Sequence, residues 1–290
     1  MTQRALLLIN PHARRGAASS AQVKRSLEAQ NLDLTPVEAT PDRFPDVIRQ
    51  YQHQVDCVVI GGGDGSVNAA IEGLLQTQLP VGVLPLGTAN NLARTLGIPT
   101  DLTEACGTIA QGRIQAIDLG WVNGHYFFNV AGIGLSASIN RQVEKHLKRK
   151  WGVVAYAVTA LKLILKQRRL RAEIHCNGEV IRVKSYQITV CNGRYYGSGL
   201  TVAADAAIND QRLDLCSMEL QHWWQIFWLL PALTRGQYAA GRGVRILHSQ
   251  EFTIYTRTPT AIDTDGEITT ETPAQFKVIP QAIRVFVPGN

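Results

Sequence analysis

The chain has no apolar run long enough to cross a bilayer: none approaches the ~18 residues a spanning helix needs. Cysteine is sparse. The five residues, Cys57, Cys106, Cys176, Cys191 and Cys216, include no C-x-x-C pair. That argues against a zinc site or a disulfide framework, and for buried reduced thiols in a cytoplasmic protein. There is no internal repeat and no low-complexity tract. The first apolar run, Ala5 to Ile9, is too short for a signal-peptide core and is stopped by Asn10-Pro11. It reads as a buried first strand. Acidic residues are outnumbered, 23 against 29 basic ones, for a formal charge of +6. Such a balance favours anionic partners such as nucleotides or acidic membrane surfaces. Nucleic acid is not expected, because no motif for it is present and the basic residues are not interleaved with exposed aromatics. What remains, 290 residues with 45% hydrophobic and 18% charged content, is enough for a substantial core in one large domain or two ordinary ones.

The organising stretch is Ile60-Gly61-Gly62-Gly63-Asp64-Gly65-Ser66-Val67-Asn68. An apolar run, Cys57 to Ile60, enters it, and a helical pattern with Val67, Ile71, Leu74 and Leu75 leaves it. Strand, glycine turn and helix start together make an anion site, because the backbone can approach closely and the first N–H groups of the helix are unpaired. Asp64 is the odd member. A carboxylate beside bound phosphate repels it unless a cation lies between them, which points to Mg²⁺. The plainer alternative is Asp64 as the cap of its own helix.

The first 120 residues alternate strands and helices, which predicts a parallel sheet with helices on both faces. Ligands bind such sheets beyond the carboxyl ends of the strands. Four polar or glycine turns fall there: Asn10-Pro11, Thr40, Gly61 to Ser66 and Leu86-Gly87-Thr88. Beyond about residue 120 the pattern becomes alternating strands with hairpin signals at Asn123-Gly124 and Asn177-Gly178. Helices are expected at about 136–150 and 153–166, and a Trp-rich helix over 222–233. The fold class read from this is an N-terminal parallel α/β domain, 1–120, and a C-terminal antiparallel β-sandwich domain with helices, 121–290.

These motifs in this order resemble the diacylglycerol kinase catalytic-domain family, in particular the bacterial soluble lipid kinases (diacylglycerol kinase and YegS-like proteins). The residues that carry the resemblance are Asn10-Pro11 with Arg14-Arg15-Gly16, then Gly62 to Ser66, then Pro85 to Ala93. Further along come Ile117 to Gly120, Phe128 to Gly134, Asp210 to Asp214, and Asp265-Gly266-Glu267. The resemblance implies transfer of the ATP γ-phosphoryl group to a lipid hydroxyl. It implies ATP held by Asn10, Pro11, Thr40, Gly62, Gly63, Asp64, Gly65, Ser66, Val67, Asn68 and Thr88, with Asp64 and Asp118 in an acidic network around Mg²⁺. Asp265 or Glu267 would be the general base. A structural Mg²⁺ or Ca²⁺ is implied at Asp210, with backbone oxygens near Ala207 and Arg212. Three positions depart from the family pattern: Ser66 stands for Thr, Ala13 for Ser, and Asn91 for Asp. The last removes a charge from the implied metal network.

Phosphoryl transfer needs positioning, charge neutralisation and an aligned hydroxyl. Asp265 and Glu267, at i and i+2, would face the same way on extended backbone, so the sequence leaves their roles unseparated. Asp118 reads equally as a satisfied buried carboxylate. The stretch His222 to Leu233 holds three of the five Trp. Trp suits a membrane interface, and cations from Lys145 to Arg171 would add attraction to anionic lipid; a helix packed on the sandwich is the alternative. The partners expected are therefore ATP and a lipid at the membrane surface, with the protein cytoplasmic and peripheral; a homodimer is allowed for. Two rivals stay open: an NAD kinase-like small-molecule kinase, and a nucleotide-binding regulatory protein with little catalysis.

Overall fold

The structure, a computed structural model, describes residues 2–137, 169–193, 195–196, 200–201, 207–222, 225 and 243–289. The helices expected at 136–150 and 153–166, and nearly all of the Trp-rich stretch, lie outside the described residues. The chain falls into two compact units. The first holds Met1–Leu119 and Pro280–Asn290; the second holds Gly120–Tyr196 and Leu200–Ile279. A single cut at 120 therefore misses the return of the last eleven residues to the first unit.

In the first unit, β1 (Gln3–Ile9), β2 (Leu32–Val37), β3 (Cys57–Gly62) and β4 (Val81–Pro85) run parallel in the order β2-β1-β3-β4. Their apolar runs are near-continuous because both faces are covered: Ala5 to Leu8 and Cys57 to Ile60 are buried. The helices are α1 (Gly16–Glu28), α2 (Phe44–Tyr51), α3 (Asp64–Ala69), α4 (Ile71–Thr77), α5 (Asn91–Thr95) and α6 (Leu102–Gln111). The helical pattern of Val67, Ile71, Leu74 and Leu75 is divided at Ala70, between α3 and α4. Only α6 has a side-chain N-cap among these helices: Asp101 accepts from Thr103 N and Glu104 N.

The second unit is antiparallel. Its strands are the end of β5 (Arg113–Val122), β6 (His125–Phe127), β7 (Val130–Gly134), β8 (Leu170–Cys176), β9 (Glu179–Ser185) and β10 (Gln187–Cys191). Then come β11 (Tyr195–Tyr196), β12 (Leu200–Thr201), β13 (Leu213–Met218), β14 (Val244–Ser249), β15 (Glu251–Thr256), β16 (Ala261–Thr264), β17 (Glu267–Glu271) and the start of β18 (Ala274–Val287). One sheet has the order β14-β13-β10-β7-β16-β17; the other joins β18, β15, β8 and β9. Their inner faces share a core that includes Phe127, Ile133, Ile174, Val190, Phe252 and Phe276. Each fully buried Phe contributes about 1.5–3 kcal/mol. The end of β18 returns to the first unit, where Val285 pairs in parallel with Val81 of β4.

Three two-residue turns join strands here: Asn123-Gly124, Asn177-Gly178 and Asp265-Gly266, with positive φ at all six residues. Both central residues of the favoured hairpin turn need that conformation, which Asn, Asp and Gly tolerate best. The third hairpin, β16–β17, has no counterpart in the sequence-based assignment. Its second strand, Glu-Ile-Thr-Thr-Glu, carries too little apolar character to signal itself.

Candidate functional site

In the first unit the turns at the carboxyl ends of β1, β3 and β4 are bonded to one another. Asn10 N donates to Gly61 O at 2.9 Å, and Asn10 Nδ2 donates to Ser66 Oγ at 2.9 Å. Leu86 N donates to Gly62 O at 2.9 Å, and Arg15 N to Leu86 O at 3.1 Å. Ser66 is buried, so its hydroxyl serves as a strut between two turns. Gly63 and Gly87 let the β3 and β4 turns approach: a Cβ on Gly87 would lie 2.4 Å from Gly63 Cα. Asn90 fixes the β4 turn, its Oδ1 accepting from Gly87 N at 3.0 Å.

Asp64 does not cap its own helix. Gly63 is the N-cap of α3, and Asp64 Oδ1 instead accepts from Leu92 N, at the start of α5, at 3.0 Å. The α5 cap residue, Asn90, makes no side-chain cap bond. A carboxylate from a neighbouring turn thus fills that role and favours the positive helix end. Among the described residues Asp64 Oδ2 makes no hydrogen bond, and the buried Oδ1 of Asn91 has no partner. Both are hard oxygen donors. Mg²⁺ is held by one or two carboxylates with phosphate and water completing its shell, so Asp64 and Asn91 fit that ion.

The remaining expected nucleotide residues are placed as follows. Pro11 and Thr40 line a cleft of about 740 Å³, with Ile9, Gly16, Val37 and Arg43. Thr40 and Thr88 are exposed, and Asn68 is half-buried. Val67 is 1% exposed, so its side chain belongs to the core and only its backbone faces the turn. Asp118 is 1% exposed and accepts from Gln281 N at 2.7 Å. That bond links β5 to the returning end of β18, and no sequence signal announces it.

In the second unit, Asp265 sits at the hairpin tip with φ 47. Its Oδ2 accepts from Phe128 N at 2.8 Å, and its Oδ1 accepts from Asn129 N and Val130 N, each at 3.0 Å. In return Asp265 N donates to Val130 O at 2.8 Å. Both carboxylate oxygens are engaged in holding the start of β7. Glu267, at the first position of β17, is exposed. The positive φ at Asp265 and Gly266 breaks the extended backbone that the i, i+2 argument assumed, so that argument does not hold here. Asn192 extends the polar cluster, with Nδ2 donating to Phe128 O at 2.8 Å.

The loop expected to bind a structural cation is arranged as an ion pair. The Asp210 carboxylate accepts from Ala207 N at 3.4 Å and Arg212 N at 3.3 Å. Arg212 Nε lies 3.1 Å from Asp210 and 3.3 Å from Asp214. Burial raises the Asp210 carboxyl, with Arg212 pulling the other way. His248 completes the chain of contacts by pairing with Asp214. Donors and a guanidinium surround this carboxylate, which does not fit a bound cation. Among the described residues no three His, Cys, Asp or Glu side chains gather as ligands.

Comparisons with known proteins match both halves of the chain. Residues 4–122 match the diacylglycerol kinase catalytic domain, and residues 129–287 match the YegS C-terminal NAD kinase beta sandwich-like domain. A diacylglycerol kinase of Bacillus subtilis is 28% identical over 240 residues, covering 81% of this chain and 78% of that protein. One from Staphylococcus aureus (strain MRSA252) is 24% identical over 301 residues, covering 100% and 94%. The crystal structure of a diacylglycerol kinase from Bacillus anthracis superposes with a TM-score of 0.76 at 20% identity, covering 98% of this chain and 97% of that one. Another solved chain from that organism gives a TM-score of 0.85 at 23% identity. With both halves matched in sequence order, the chain belongs to the diacylglycerol kinase catalytic-domain family and carries its YegS-type C-terminal domain.

Proposed function

We propose that the protein is an ATP- and Mg²⁺-dependent lipid kinase that transfers the γ-phosphoryl group to a lipid hydroxyl at a membrane surface. Family membership supports kinase-type phosphotransfer and nucleotide binding; the lipid acceptor and the metal are our reading. The observation that carries it is the bonded set of turns around Gly62, Gly63 and Gly87 with Asp64 among them. Backbone N–H groups at close-approach glycines suit phosphate oxygens. The 740 Å³ cleft beside Pro11 and Thr40 is of the size that takes a nucleoside. Mg²⁺, when bound, neutralises phosphate charge, and Asp64 with Asn91 would hold it.

The first unit is the nucleotide domain and the second supplies the base and the lipid side. Glu267 is the general base. Asp265 is already engaged by three N–H donors, which occupy both of its oxygens. Glu267 takes the hydroxyl proton as the lipid oxygen bonds to the γ-phosphorus and the bond to ADP breaks. Asn10, Ser66 and Asp64 hold the turns rigid, so that phosphate donors need no reorganisation during transfer.

The test is phosphoryl transfer from γ-labelled ATP with Mg²⁺ to diacylglycerol, phosphatidylglycerol, a sphingoid base and an isoprenoid alcohol in mixed micelles, beside NAD. An Asp64→Ala control accompanies it. A labelled lipid that disappears with Asp64→Ala is expected. Labelled NADP instead would replace the acceptor. Saturable ATP binding with no product from any acceptor would replace the enzyme by a nucleotide-binding regulator.

A further inference from the structure

The sheet that joins β18, β15, β8 and β9 turns one face to the core and the other away from it. Ala172, Ile174 and Cys176 of β8, Val183 of β9, and Phe252 and Ile254 of β15 belong to the core cluster. Alternation therefore turns Arg171, Glu173, His175, Arg182, Lys184 and Tyr255 to the opposite face. The registers set these residues in rows across three strands. Val180, His175 and Thr253 make one row, and Arg182, Glu173 and Tyr255 the next. Beyond them Lys184 stands directly opposite Arg171. Arg257 follows the last residue of β15, Thr256, which pairs with Ala172. It is thus at the same end of the strands as Arg171.

Charge is spread unevenly over this face. Its acids, Glu173 and Glu251, are paired: Arg182 Nε donates to Glu173 Oε1 at 2.8 Å, and Lys277 Nζ lies 3.8 Å from Glu251. Arg171, Lys184 and Arg257 are exposed, and their side chains make no hydrogen bond or ion pair among the described residues. Like charges directly opposite one another weaken a strand pair, and Lys184 and Arg171 are placed so. Apolar surface adjoins them. Val180 is 54% exposed and Tyr255 42%, with the Tyr255 ring centroid 5.0 Å from that of His175.

We propose that this cationic end of the sheet face docks the protein on an anionic membrane. The proposal deepens the lipid-kinase reading and rests on it, because that reading is what brings a bilayer to the protein. The fit is one of charge. Neighbouring strands lie about 4.8 Å apart, so three positive charges crowd together at one end of the sheet. A plane of phosphate headgroups offsets their mutual repulsion. Long Arg and Lys side chains reach such headgroups while their stems lie along apolar surface. Tyr255 suits the same layer, with an apolar ring and a polar hydroxyl. Each cation beside an anionic leaflet is worth about a fivefold gain in binding, and salt screens the gain.

The experiment is co-sedimentation of the full-length protein with vesicles of phosphatidylcholine, with and without phosphatidylglycerol. Arg171→Gln, Lys184→Gln and Arg257→Gln are combined in one variant. All three residues are exposed, so the melting temperature should hold. The variant should bind phosphatidylglycerol vesicles about 10²-fold more weakly than the wild type, with weak binding to phosphatidylcholine alone unchanged. Added salt should weaken the wild type far more than the variant. With a short-chain diacylglycerol dispersed as monomers, kcat should stay within about twofold. A variant that binds phosphatidylglycerol vesicles like the wild type overturns the proposal, as does a wild type that does not bind them. Wild-type binding to duplex DNA as tight as to these vesicles also overturns it, and makes the patch a nucleic-acid surface. The two readings fail separately. Phosphorylated lipid with unchanged vesicle binding removes the docking surface alone. Vesicle binding that the variant loses, with no lipid product from either protein, supports the docking surface and removes the kinase reading.

Discussion

The chain contains two Asp-Gly pairs at its proposed working surfaces, Asp64-Gly65 and Asp265-Gly266, and they fold in opposite ways. Asp64 begins α3, and one of its oxygens reaches across to Leu92 N. Asp265 lies at positive φ in a hairpin tip, and both of its oxygens reach across to residues 128–130. The flanking residues decide between them. A buried strand ends in three glycines before Asp64 and a helical pattern follows; β16 and β17 flank Asp265 and Gly266. Each carboxylate pins a distant backbone segment. The difference is what remains afterwards: one oxygen of Asp64 makes no hydrogen bond among the described residues, and both oxygens of Asp265 are engaged.

The largest effect is expected where the carboxylate left for chemistry is exchanged. Glu267→Gln should lower kcat by about 10²–10⁴-fold, the usual contribution of a general base, with ATP affinity and melting temperature unchanged. A drop in melting temperature of similar weight would make Glu267 structural instead. Asp263 should dominate the pH dependence of stability in this region. The unfolded carboxyl titrates near 3.8 and the folded one, raised by burial, near 6. Between those values the folded chain binds more protons than the unfolded chain. The contribution of Asp263 to stability is therefore fullest below about pH 4 and is lost as pH rises through 6, by about 3 kcal/mol. Urea unfolding at pH 4.5 and 7, with and without Asp263→Asn, reads this slope; a variant with the wild-type slope would assign it elsewhere. Asp265→Asn comes next. Oδ1 can keep the bonds from Asn129 and Val130, while the new amide faces Phe128 N–H, donor against donor. A loss of about 2 kcal/mol is expected, measured in the same unfolding assay.

Much of the first unit could be read from sequence because its signals are local. Cys57 to Ile60 with the following glycines announces a strand and its turn, and Asn10-Pro11 and Leu86-Gly87-Thr88 mark neighbouring turns. The partners within the site were not legible. Nothing near Asp64 names Leu92, and nothing near Asp118 names Gln281, 163 positions away. Such bonds depend on which strand ends the sheet brings together. In the second unit the hairpins at Asn123 and Asn177 were visible by their Asn-Gly turns, yet the same geometry at Asp265-Gly266 was obscured by the polar strand behind it. The register shift beside Asp263 is one that alternation cannot foresee. For Asp210 the sequence showed a carboxylate and implied a cation; it did not show that Arg212 supplies the positive charge.

The smallest stability effect is also the most discriminating. Asp64→Asn retains an oxygen at the position of Oδ1, so the bond from Leu92 N at 3.0 Å survives. What is lost is the formal charge beside a helix start, worth about 0.3–1 kcal/mol. The fold should therefore weaken by less than about 1 kcal/mol, well below the expected cost of Asp265→Asn. Nucleotide binding should respond differently. With the carboxylate replaced, the pair left for Mg²⁺ is two side-chain amides, the substituted one and that of Asn91, which are weak ligands for a hard cation. Mg²⁺ should then enhance ATP affinity far less than in the wild type, while ATP binding without metal changes little or improves. Titration calorimetry with and without Mg²⁺ separates these terms. A variant that loses stability as Asp265→Asn does, and keeps its Mg²⁺ enhancement, would mean that the two Asp-Gly pairs do the same structural work and that the cation is held elsewhere.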